Sequence, residues 1–150
     1  FEARRAARRL ALFSYLTHII RDFEKDHRRH LNYFPIDLLQ RYNLSAELLH
    51  EVSKGSPIPD GLRQLVELYC RMIDYYGARA RRDLDRIRPH LRPRYVLSLE
   101  IIHGLYRQIR ERIDPQRGTF QTQELHPGPS EVRDRIDQVV ARHADKVQSR

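Results

Sequence analysis

Asp22 and Asp26 are the residues of this chain best suited to chemistry, because a spacing of four on a helix stacks two carboxylates on one face, with Cβ atoms about 6 Å apart. Two hard oxygen donors so placed can share a cation. Mg²⁺ suits them, since it keeps several waters and completes an octahedral shell with phosphate oxygens. Arg21 precedes the pair and Arg28 and Arg29 follow it, so guanidinium forks are available for diphosphate oxygens. His18 lies one turn before Asp22 on the same face and offers a neutral nitrogen or a donor to phosphate, although imidazole is a poorer Mg²⁺ partner than an amide oxygen. The same spacing more often belongs to an exposed ion pair worth well under about 1 kcal/mol, so spacing alone does not select a metal site.

The elements that must position these residues are helical. Leu10, Phe13, Leu16, Thr17, Ile20 and Phe23 recur three and four apart, which predicts one amphipathic helix over about 2–28. Pro35 ends the connector that follows and suits the first turn of a short helix, Ile36 to Arg41. Asn43 or Ser45 can cap a second short helix ending near Ser53. Leu62, Leu65, Val66, Tyr69, Cys70, Ile73, Tyr76, Ala80, Leu84 and Ile87 hold helical period from Asp60 to Pro89, the longest element. Pro93 opens another helix, with Val96, Leu99, Ile102, Leu105, Tyr106, Ile109 and Ile113 as its stripe. The segment from Asp114 to Pro129 reads as an extended loop. A polar helix capped by Ser130 then runs to about Ala144 on a narrow stripe of Val132, Ile136, Val139 and Val140. No strand pattern competes, and the chain reads as an all-α helical bundle.

Length and composition set bounds. A chain of 150 residues with 40% hydrophobic and 32% charged residues can bury a real core and belongs to the ordered globular range. The formal charge of +8 admits nucleic acid, an anionic membrane surface or an anionic small substrate. Acids interleave with the arginines, as in Arg79–Arg88, which is the pattern of solvated helix faces and argues against a nucleic-acid module. The single cysteine, Cys70, sits in an apolar run, so neither an internal disulfide nor a thiolate metal site is available. No stretch has the roughly 20 apolar residues of a membrane span. A cytoplasmic protein is expected, with peripheral membrane contact left open. The chain opens at Phe1 already in helical pattern, without Met or a capping residue, and reads as part of something longer. Asp83-x-Asp85 and Asp134-x-x-Asp137 lack the spacing of the Asp22 pair and read as surface ion pairing.

The run Leu16-Thr-His-Ile-Ile-Arg-Asp-Phe-Glu-Lys-Asp26, followed by a basic stretch, Tyr33-Phe-Pro35 and Asp37-Leu-Leu, resembles the second aspartate-rich segment of squalene and phytoene synthases. The order continues in the long helix with Tyr75-Tyr76 and in Tyr106-Arg-Gln-Ile-Arg-Glu-Arg-Ile113, so the likeness covers about residues 5–113. It implies an isoprenoid-synthase-type fold in which residues 1–113 are the C-terminal half of a synthase-like helical domain and 114–150 a loop plus polar helix. It also implies a transferase of isoprenoid biosynthesis, as in carotenoid or hopanoid pathways, condensing two prenyl diphosphates head to head with Mg²⁺-assisted loss of diphosphate. Asp22 and Asp26 would hold metal, Arg21, His18 and Tyr33 would flank the diphosphate, and Tyr106 would face the cavity and stabilise a carbocation. Whether NADPH takes part is not implied.

Two positions depart from the pattern: His18 stands where the family commonly has Asn, and Tyr15 where it has Gln. No second Asp-x-x-x-Asp occurs. The partner motif, with its upstream helices, is expected in a missing N-terminal half of the same fold, and the 150 residues alone are expected to be inactive. A scaffold or assembly factor that keeps the fold after losing its site is the alternative.

Overall fold

In a computed structural model that describes residues 2–148, the chain forms eight α-helices, with no strand among those residues: α1 (Glu2–Arg21), α2 (Phe23–Arg28), α3 (Ile36–Arg41), α4 (Ala46–Ser53), α5 (Asp60–Ile87), α6 (Pro93–Arg112), α7 (Thr122–Leu125) and α8 (Pro129–Gln148). A 3-10 turn, Arg88–His90, links α5 to α6.

The core forms where α1 crosses α5. Leu10, Phe13 and Ile20 of α1 meet Leu65, Val66, Tyr69 and Ile73 of α5, all buried. Gly77 is what lets the two axes approach, because a Cβ there would lie 2.8 Å from the Phe13 ring. α6 lies against both helices, and α2 packs on α4. Ser45 is the cap of α4, its hydroxyl accepting from the Leu48 amide at 3.1 Å.

The first helix differs from its expected 2–28 span in one respect that matters. It breaks at Asp22, whose backbone turns to φ −97°, ψ 13°, and resumes as α2. The hydrogen bonds from Asp22 to the His18 carbonyl (3.0 Å) and from Asp26 to the Asp22 carbonyl (2.9 Å) persist through the break, so the pair keeps its helical relation.

Two further expectations are corrected. The stripe of α6 is not purely apolar: Glu100, Gly104 and Gln108 are buried alongside Val96 and Ile109, whereas Ile102 is exposed. The reason is α8, which lies on that face and meets it through polar groups. Glu100 accepts from His143 at 2.7 Å, and Gln108 donates to the Glu131 carbonyl at 2.9 Å. α8 itself starts at Pro129, so Ser130 lies inside it and does not cap it; Val139 is buried and Val140 exposed.

The segment 114–128 is not wholly extended. It contains α7, and Phe120 and Leu125 are fully buried in the main core. Acidic side chains tie it down. Asp114 accepts from the amides of Gln116 and Arg117, and Glu124 accepts from Thr119 and Phe120. These bonds hold Phe120 in the left-handed region, at φ 59°.

Candidate functional site

The Asp22 carboxylate is buried at the junction of α1 and α2, and basic side chains surround it. Arg21 Nε donates to Oδ1 at 2.8 Å, and Lys25 Nζ lies 3.2 Å and His18 Nε2 2.8 Å from Oδ2. His126 Nε2, from the segment after α7, stands 3.4 Å from Oδ1. Burial opposes ionisation, but the Arg21 hydrogen bond and charge, helped by His18 and Lys25, outweigh it and hold the carboxyl at about 2. Arg21 is bound more firmly in return, its pKa raised first by the bond to Asp22 and further by Tyr106.

His18 connects these groups. Its Nδ1 lies 2.6 Å from Arg21 Nη2 and its Nε2 faces Asp22, an arrangement that fits a neutral ring with the proton on Nε2. Burial and the neighbouring Arg21 charge lower its pKa, in keeping with that form.

Asp26 lies one turn further, on α2, and is buried like Asp22. Its carboxylate makes no hydrogen bond or ion pair among the described residues. Both aspartates line one cleft of about 490 Å³, whose other walls include Tyr15, His18, Lys25, Tyr33 and Tyr106. Tyr33 is half-exposed and held there by its neighbours. Asn32 brackets Phe34 by accepting from its amide at 3.0 Å and donating to its carbonyl at 2.9 Å, and Phe34 plugs the core. Tyr106 reaches the cleft from α6, with its ring edge against Phe13 at 6.4 Å between centroids.

Sequence reasoning therefore named residues that the fold brings together: His18, Asp22, Asp26, Tyr33 and Tyr106 share the cleft, and Arg21 backs it. Arg28 does not join them. It pairs with Glu24 at 3.0 Å and donates to the Ser53 carbonyl at 3.1 Å, bracing α2 on α4. The pair at Asp83 and Asp85 divides: Asp85 is surface-exposed, but Asp83 is buried and takes Arg9 at 2.8 Å. Sequence reasoning missed His126, which has no spacing relation to Asp22. Its only signal is the buried anchoring of its segment, seen in Phe120, Leu125 and a bond from the Thr122 amide to Glu24 Oε2 at 2.7 Å.

Among the described residues, no group of three or more His, Cys, Asp and Glu side chains converges as a cage for a metal ion. The protein's own hard donors at the cleft are the two aspartates. Cys70 is buried, with its thiol pushed up to about 11 by burial, and is no ligand.

The fold and cleft define an all-α protein with a carboxylate pair backed by arginine at the end of a long helix. The squalene/phytoene synthase model matches residues 2–129, and the chain belongs to that family. No curated protein and no solved structure matches it. Membership supports a squalene/phytoene synthase-like prenyltransferase of isoprenoid biosynthesis, at the level of the family. Among the described residues no helix is long and apolar enough to cross a membrane.

Proposed function

We propose that this chain supplies one carboxylate half of a prenyl-diphosphate site, in a protein that condenses two prenyl diphosphates head to head with loss of diphosphate. The observation that carries this reading is the joint presence of Asp22, Asp26, His18, Tyr33 and Tyr106 on one cleft, with Arg21 behind it.

The donor set fits Mg²⁺ bound with waters and substrate oxygens, because it offers oxygen ligands from two carboxylates and few other protein donors. Asp26, with both oxygens uncommitted, is the primary ligand; Asp22 joins by loosening Lys25 or His126. When bound, the ion draws charge from the leaving diphosphate as a Lewis acid. The chain's own residues do the rest. Arg21 and Lys25 face anionic oxygens, and neutral His18 donates from Nε2 without adding charge. As the allylic carbon–oxygen bond breaks, its electron pair leaves with diphosphate. The ring of Tyr106 presents its negative face to the carbocation that remains.

A longer protein carrying the partner aspartate motif is the setting for catalysis, and the 150 residues alone make no product. The test is Mg²⁺-dependent binding of inorganic diphosphate to the chain, followed calorimetrically. Binding that requires Mg²⁺ and is lost in Asp26→Asn supports the reading; binding indifferent to both would sink it.

The basic side chains packed around Asp22 favour a second reading, a scaffold that keeps the synthase fold and uses Asp22 only as a structural anion. It predicts no Mg²⁺-dependent binding at all.

A further inference from the structure

Five arginines line a second groove, at the opposite end of α1 from the aspartates. Arg4, Arg5, Arg8 and Arg9 project from α1 and Arg79 from α5, with Leu12, Tyr75 and Tyr76 completing the walls of a groove of about 670 Å³. No acidic residue lines it. The spacing of the four α1 arginines explains the geometry: positions 4 and 8 stack on one line of the helix and 5 and 9 on the adjacent one.

Two of these side chains are braced from beneath. Asp83, buried, takes Arg9 at 2.8 Å and approaches Arg5 at 3.9 Å. Arg4 and Arg8 are exposed and have no hydrogen bond or ion pair with any described residue. Arg79 is held without an acid, its guanidinium 4.3 Å above the Tyr75 ring, and Tyr75 stands edge-on to Tyr76 at 5.1 Å. The Nε atoms of Arg79 and Arg5 are buried without hydrogen-bond partners among the described residues. Among the described residues two carboxylates meet these five guanidinium groups, buried Asp83 and exposed Glu2, which stands 3.7 Å from Arg5; like charges so concentrated repel one another, and Arg4, Arg8 and Arg79 are left without a counter-ion.

We infer that this groove is a binding site for a phosphate-bearing ligand, whose anionic oxygens engage Arg4, Arg8 and Arg79 while its apolar or aromatic body lies on Leu12, Tyr75 and Tyr76. Guanidinium forks match phosphate oxygens in pairs, and exposed Tyr75 with the partly exposed Leu12 and Tyr76 offers surface to a neighbouring apolar body. The groove shares no residue with the aspartate cleft and contains no carboxylate to hold a metal, so binding here is independent of Mg²⁺. The phosphate could be that of a free small molecule or of a lipid headgroup.

The test uses amide chemical shifts of the 150-residue chain in EDTA, titrated with inorganic diphosphate. In a parallel arm, the chain is sedimented with phosphatidylglycerol vesicles and with phosphatidylcholine vesicles. Saturable shifts confined to residues 4–9 and 75–79, weakened on the order of tenfold or more in Arg4→Gln/Arg8→Gln, assign the groove to a free phosphate ligand. Co-sedimentation with anionic vesicles alone, lost in the same variant, assigns it to a lipid headgroup. Both results support the inference. Shifts spread over every arginine, binding unchanged by the double substitution, no binding in either arm, or a preference for a single-stranded oligonucleotide over both ligands would overturn it. Arg4 and Arg8 are exposed and unpaired, so the variant should melt within a degree or two of the parent, and Arg71→Gln/Arg117→Gln serves as the charge-matched control.

Discussion

The two aspartates of the cleft have different surroundings, and removing each should have a different consequence. Asp22→Asn leaves Arg21 and Lys25 without their common anion at a buried position, and should lower unfolding free energy by roughly 1–2 kcal/mol. Asp26→Asn breaks no bond and should change stability by less than about 0.5 kcal/mol while removing Mg²⁺-dependent diphosphate binding. Chemical denaturation alongside calorimetry separates the two effects. Asp22 also sets an acid limit. Its carboxyl is held at about 2, below its unfolded value, so its contribution is complete above about pH 4 and disappears as pH falls towards 2. A second residue acts at milder pH. His27 is buried between Phe23 and Phe34, and burial, followed by the charge of His50, lowers its pKa to about 4. The unfolded chain then binds a proton that the native one refuses, and stability falls as pH drops from about 6.5 to 4. Replacement by Phe should flatten that part of the stability–pH curve by roughly 2–3 kcal/mol.

At the scale of elements, the α1–α5 crossing depends on a missing side chain. Gly77→Ala would push a methyl against the Phe13 ring, and should cost about 1–3 kcal/mol in denaturation despite alanine's better helix propensity. Most of the helices were legible in the sequence; α7 was not, because the prolines and glycines around it read as loop. Ile36–Arg41 was read to the residue, because Pro35 fixes its start; Asp60 and Pro93 marked two more starts in the same way. The break at Asp22 was not legible, since hydrophobic period continues through it from Ile20 to Phe23. The buried face of α6 was misread for a related reason. Periodicity assumes that apolar residues face the core, and Glu100 and Gln108 face it only because α8 brings partners to them. Removing that partnership exposes its importance: Glu100→Gln leaves Arg81, Arg88 and Lys146 around a neutral group and should cost about 3 kcal/mol. Hydrogen exchange should show the loss first along α8.

For the molecule as a whole, the cleft was half-legible. His18, Arg21, Asp22 and Asp26 lie within nine residues, and helical spacing alone groups them. Tyr33 and Tyr106 entered through family resemblance, and the structure places both at the cleft. His126 could not be read at all, since nothing local to it resembles a site and its position depends on Phe120 and Leu125 reaching a core built by α1 and α5. The bond between Thr122 and Glu24 spans 98 positions in sequence. Contacts of that separation form after local helices, because the intervening chain must first be drawn together. His126 therefore meets Asp22 only at the end of folding. In a refolding experiment, helical signal should return in an early phase and the long-range contacts of His126 with Asp22 and of Thr122 with Glu24 in a later one, and on the ribosome Asp22 stays without His126 until the segment carrying it has emerged.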